Sequence, residues 1–168
     1  TKLQAAKGIS AMFLGWAVGS PITGYFSDRT GRRVMFLVGG AIGALVCISI
    51  ILYVTHLSYS NLLVLLFLYG VFSGSEIIAF VMAKEKCGAD VSGTIFAAIN
   101  MIVTLGGVIF QPLVGYLLDM SSNQQEAIQG VVSYSVADYQ RALLILPVSL
   151  IIVIIISGFL KDACRTSQ

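Results

Sequence analysis

The stretch Gly24-Tyr25-Phe26-Ser27-Asp28-Arg29-Thr30-Gly31-Arg32-Arg33 closes one apolar run, Ile9 to Phe26, and opens directly onto another, Val34 to Val54. Three arginines, one aspartate and Gly31 stand between runs that carry no charged side chain. Such a contrast reads as a polar turn between two membrane-crossing helices.

The rest of the chain repeats the pattern. Of 168 residues, 57% are hydrophobic and 11% charged, against roughly 25% charged in soluble domains, so the composition is that of a membrane protein. Five runs have about the 20 residues that a helix needs to cross the hydrocarbon core. They are 9–26, 34–54, 62–82, 95–118 and 142–160, spans one to five. Membrane β-strands alternate polar and apolar residues, whereas Ile151 to Ile156 is apolar without interruption. The expected fold is therefore all-α, a polytopic transmembrane bundle of about five helices over residues 1–168. The first run is glycine-rich and leads into another span, unlike a cleavable signal peptide.

Charge sorts the loops by side. Arg29, Arg32, Arg33, Lys84, Lys86, Lys161 and Arg165 fall at one end of the spans, and only Lys2, Lys7 and Arg141 at the other. The positive-inside rule makes the first end, with the C-terminus, cytoplasmic. Those charges serve topology and give no reason to expect a nucleic-acid partner. Cys47, Cys87 and Cys164 are odd in number and largely on the reducing side, without metal spacing, so neither disulfides nor a metal site are expected. Nothing suggests a cofactor. No nucleophile–base pair or phosphate-cradling loop appears, and an enzyme is not expected.

Polarity is uneven among the spans. Spans two and five carry few polar side chains and are expected to face lipid. In span four, Gly93, Ala97, Asn100, Thr104, Gly107 and Gln111 recur at helical spacing on one stripe. The stripe fits a cavity wall, and fits equally a tight helix contact with Asn and Gln as interhelical glue. Glu76 stands alone as an ionisable group well inside a span, with Tyr69 and Ser73 on its face of span three. A carboxylate at such depth costs about 2.5–3.5 kcal/mol on insertion scales, so it is a candidate for substrate or proton coupling, or for pairing with a cation. Asn100 lies at similar depth, where the two could meet. Trp16, near the middle of span one, is either a stacking surface for substrate or a buried packing ring. Gly15 and Gly19 form a Gly-x-x-x-Gly close-packing pair, echoed by Gly39/Gly43 and Gly70/Gly74. Ser135 to Asp138 has the form of a capping box opening span five, which contains Pro147. His56 and Asp119 read as interfacial residues at the outer ends of the helices.

The Gly-x-x-x-Asp-Arg-x-Gly-Arg-Arg loop resembles the signature loop of the major facilitator superfamily of secondary transporters. The segments Gly107 to Asp119 and Asp138 to Leu143 look similar to bacterial members. The resemblance implies alternating-access transport of a small solute, coupled to an ion or proton as in a symporter, in the bacterial inner membrane. In that family the loop follows the second helix of a six-helix half. Span three lacks the arginine expected of a first half, so the five spans resemble helices 8 to 12, the C-terminal part of a transporter whose N-terminal half would be its partner, with membrane lipid around both. The loop would then be a latch between the halves: Gly24 for close approach, Gly31 for the turn, Asp28 against a facing helix N-terminus, and Arg29, Arg32 and Arg33 on acidic groups or lipid phosphates. Glu76, Asn100, Thr104, Gln111 and Trp16 are the substrate or coupling candidates. Two other readings fit the same sequence: a non-transporting sensor or scaffold on this fold, and a self-contained five-span protein that oligomerises.

Overall fold

Long apolar runs in a medium that cannot hydrogen-bond leave the backbone no choice but to satisfy itself, and the chain does so as helices. The computed structural model describes residues 2–54, 56–87, 92–121 and 134–160. These form α1 (Lys2–Thr30), α2 (Arg33–Tyr53), α3 (Tyr59–Ser73), α4 (Ile77–Cys87), α5 (Ser92–Ser121), α6 (Val136–Ala142) and α7 (Ile145–Gly158). A 3-10 turn, Gly74–Glu76, joins α3 to α4 within what is otherwise one long helix. Lys161, Cys164 and Arg165, which belong to the charge and cysteine patterns, lie outside the described residues, as does the middle of the segment before α6.

Four stretches are both long and apolar enough to cross a membrane: 33–53, 59–87, 93–121 and 136–158. These correspond to spans two to five. Span one differs. At 29 residues α1 is about 43 Å long, ample for a crossing, but its glycines, polar residues and flanking lysines keep it below the apolarity of the other four. What holds it to them is backbone contact with α3.

Helices α1 and α3 meet backbone to backbone. The helices run parallel, with Gly8 near Leu66, Met12 near Gly70 and Ser20 near Gly74. A Cβ added to Gly15 or Gly19 would overlap the backbone of Phe67 or Val71, and one on Gly70 or Gly74 would overlap α1. Both members of the predicted Gly70/Gly74 pair thus work with Gly15 and Gly19. The Gly39/Gly43 register is shifted: Gly39 has nothing within 4 Å, whereas Gly40 and Gly43 face Ser75 and Phe72.

The expectation that span two faces lipid is corrected by that contact. Gly40, Ala41, Ala44, Cys47 and Leu52 are buried, because α2 lies between α3 and α7. Small side chains at one face allow this, while Met35, Ile42 and Val46 remain exposed on the other. At the end far from the signature loop, Gln140 on α6 donates to the Leu52 carbonyl at 2.6 Å. Along α7 only Pro147 and Ser157 are buried, and Ile151, Ile152, Val153, Ile155 and Ile156 are exposed, as a lipid-facing helix should be.

Span five is not one smooth helix. The chain turns at Leu143 and Leu144 because Pro147 has no N–H for the Leu143 carbonyl and its ring would crowd that group. The carbonyl accepts instead from Leu146 N at 3.0 Å. The capping box forms as the sequence predicts: Ser135 Oγ accepts from Asp138 N at 3.2 Å, and the Asp138 carboxylate accepts from Ser135 N at 2.9 Å.

Span four sits apart from the other helices. Among the described residues α5 buries none of its side chains, meeting α4 at one end and α6 at the other. The α4 contact includes Phe80 and Phe96, ring centroids 5.9 Å apart. Near the α6 end the Tyr134 hydroxyl donates to Asp119 at 2.5 Å, which holds the Tyr134 phenol above its ordinary pKa.

Candidate functional site

The signature loop is built by ordinary helix chemistry. Helix α1 ends at Thr30, and Gly31 takes φ 70°, a left-handed conformation that costs a side-chain-bearing residue about 1–2 kcal/mol. Its N–H reaches the Ser27 carbonyl at 2.9 Å, satisfying one of the orphan acceptors at the helix end. Two residues later α2 starts at Arg33.

A cation in the first turn opposes the helix dipole, and α2 has no acidic residue there to offset it. Two carboxylates from elsewhere do so. Arg33 Nη1 ion-pairs with Asp28 and donates to Ser27 Oγ at 3.3 Å. On its other edge, Nη2 donates to Glu85 Oε1 at 2.6 Å and Nε to Oε2 at 3.4 Å, a bidentate arrangement. Glu85 is the better shielded partner: the Arg33 side chain is 13% exposed, Glu85 36% and Asp28 65%. One guanidinium therefore ties together the end of α1, the start of α2 and the end of α4.

The loop's other members lie on the surface. Arg29 donates to Tyr25 Oη at 3.3 Å, Arg32 is exposed, and Gly24 has no heavy atom within 4 Å of an added Cβ. Asp28 meets Arg33 at the first turn of α2. Sequence reasoning missed Glu85. Its signal was present, an acid between Lys84 and Lys86 on the arginine-rich side, but a lone acid among lysines looks like a solvated charge.

A second site lies beside the glycine seam. Met12, Phe13 and Trp16 on α1 and Tyr69, Gly70 and Ser73 on α3, with Glu76 in the 3-10 turn, line a cavity of about 410 Å³. That is within the roughly 300–1,000 Å³ of small-molecule sites. Glycine contacts draw the two backbones together, and the larger residues on the flank then diverge around open space. Trp16, 43% exposed, forms part of the cavity wall. Glu76, at the end of the 3-10 turn, lines this cavity together with Tyr69 and Ser73. A neighbouring cavity of about 370 Å³, lined by Gln4, Gly8, Tyr59 and Leu66 among others, shares Met12 with the first.

The structure unites Trp16 with Glu76 and leaves the span-four candidates elsewhere. Asn100, Thr104 and Gln111 are exposed on α5 and do not line this cavity. Thr104 Oγ1 donates to the Asn100 carbonyl of its own helix at 2.8 Å. Asn100 and Glu76 stand one turn beyond the Phe96–Phe80 contact on their respective helices, with no hydrogen bond between them.

A bundle of apolar helices joined by a charged glycine turn, with a carboxylate opening into a cavity between two of them, defines a polytopic integral membrane protein. The family model of the Major Facilitator Superfamily matches residues 2–163, and the chain belongs to that family of transporters. No curated protein and no solved structure matches it.

Proposed function

We propose that the protein moves a small solute across the bacterial inner membrane by alternating access, coupled to an ion or proton. Its five helices take the places of helices 8 to 12 in a twelve-helix transporter, with the signature loop and C-terminus in the cytoplasm. The observation that carries the proposal is the Arg33 bridge to Asp28 and Glu85, which supports reading the signature loop as a structural joint beyond its use as a topological marker. The joint links three helix ends on the arginine-rich side. That brace holds the exposed Asp28, Arg29 and Arg32 in a fixed place on this side, where a latch to the facing half of the transporter would form. Glu76 supplies a carboxylate that can exchange a proton or counter-charge a solute, and the two cavities that meet at Met12 along α1 and α3 offer a route toward it.

Flux tests the proposal. The purified product of the complete reading frame, reconstituted in liposomes, should move at least one solute of a broad panel, faster with an imposed pH gradient. Asp28→Asn should slow exchange between access states, read by site-directed fluorescence, while leaving solute affinity within about threefold. Folded protein that moves no member of the panel would favour the sensor or scaffold reading. Unchanged switching in Asp28→Asn would remove the latch.

A further inference from the structure

We infer that the cavity at Trp16 and Glu76 binds an organic cation, an ammonium head carried on an apolar body. The inference rests on the transport proposal for its biological use, but on the cavity alone for its chemistry.

The wall has one charged group, the Glu76 carboxylate, and no Lys or Arg of the described residues joins it. The ionised carboxylate would repel an anionic solute at close range, and a neutral solute would gain nothing from its charge. A cation is attracted. The other surfaces agree with the head group's needs: Trp16 and Tyr69 present aromatic rings, whose faces attract cations by about 0.5–2 kcal/mol each depending on desolvation. Phe13 and Met12 extend the apolar lining along α1 and suit a hydrocarbon body. Ser73 adds one hydroxyl.

The competing cations fit less well. A bound metal ion wants several oxygen ligands, commonly six or more for calcium and magnesium, whereas this wall offers one carboxylate and two hydroxyls. A proton needs the carboxylate but neither the aromatic rings nor the space. At about 410 Å³ the cavity accommodates an organic molecule of modest size.

The test is equilibrium binding of radiolabelled benzyltrimethylammonium, a permanent aromatic cation, to the purified full-length protein, with phenylacetate as the anionic counterpart. Wild type should bind the cation and show no saturable binding of phenylacetate. Glu76→Gln should weaken cation binding by about 10-fold or more, equivalent to 1.4 kcal/mol. Glu76→Asp, which keeps the charge, should stay within about threefold of wild type. Trp16→Ala should lose about 3- to 10-fold and Trp16→Phe less, since the face is retained. Thermal melting of each variant separates a lost site from a lost fold. Equal affinity in wild type and Glu76→Gln, preference for phenylacetate, or no saturable cation binding by wild type would each overturn the inference. The two proposals fail separately. Flux of anions only leaves transport standing and removes the cation site, whereas Glu76-dependent cation binding without flux of any solute does the reverse.

Discussion

Arg33 makes two ion pairs of unequal shielding, and the difference can be measured. Opposite charges about 4 Å apart attract by about 4 kcal/mol at an effective dielectric of 20 and by about 1 kcal/mol in bulk water. The Glu85 pair joins side chains 13% and 36% exposed and accepts from two guanidinium nitrogens, whereas Asp28 is 65% exposed. Desolvation and side-chain ordering remove much of the gross attraction, and solvent screens the Asp28 pair further. Net coupling of about 1–2 kcal/mol is expected for Arg33–Glu85 and of about 0.5 kcal/mol or less for Arg33–Asp28. Double-mutant cycles with Arg33→Ala, Glu85→Ala and Asp28→Ala, read by unfolding in mixed micelles, yield both values. Raising the salt to about 1 M should erase the Asp28 coupling first, since the Debye length falls to about 3 Å. Arg33→Lys should lose most of the Glu85 coupling, because an ammonium cannot reproduce the two-pronged contact. Equal couplings, or a larger one for Asp28, would refute the ranking and show that shielding does not set the strength of these pairs.

The glycines predict opposite outcomes for one chemical change. Gly19→Ala places a methyl group in the Val71 backbone and should cost about 1–3 kcal/mol in the same unfolding assay, as overpacked seams do. Gly24→Ala meets nothing within 4 Å and should leave stability unchanged or raise it by up to about 1 kcal/mol, so any slowing of access-state exchange in that variant would come from a surface beyond this chain's own helices. Gly31→Ala should cost about 1–2 kcal/mol because of its positive φ. Ser135→Ala removes half of the capping box and should destabilise the start of α6 by about 1 kcal/mol, visible as faster amide exchange over the first turn of that helix.

Much of this architecture is written in the sequence because the membrane imposes it. A run such as Ile151 to Ile156 has one stable conformation in hydrocarbon, and the loop charges then order the spans. Gly15, Gly19, Gly70 and Gly74 announced close packing, since a helix has little other use for two glycines on one face. The partner of each seam was less legible. Gly40 packs while Gly39 does not, a choice made by the position of α3 and invisible in α2 itself. Polarity misjudged α2 for the same reason: a face of Gly, Ala and Cys is apolar whether it meets lipid or another helix. Pro147 was visible, but the turn it produces depends on the Leu143 carbonyl finding a new donor. Of the candidate site, the Trp16–Glu76 pairing required knowing that α1 and α3 run parallel in one register. Glu85 required knowing that α4 ends beside Arg33.

The interlocked glycines of α1 and α3 have a mechanical consequence. Backbones that meet without side chains between them cannot slide by a fraction of a turn without collision, nor separate without exposing what each covers. The two helices should therefore travel as one strut, carrying Trp16, Tyr69 and Glu76 in fixed relation to one another. Movement has to be taken up where grip is weak, and α5, which among the described residues meets chiefly α4 at one end and α6 at the other, offers the least resistance. A solute lodged against the strut would then be uncovered by the motion of its surroundings, with its own contacts undisturbed.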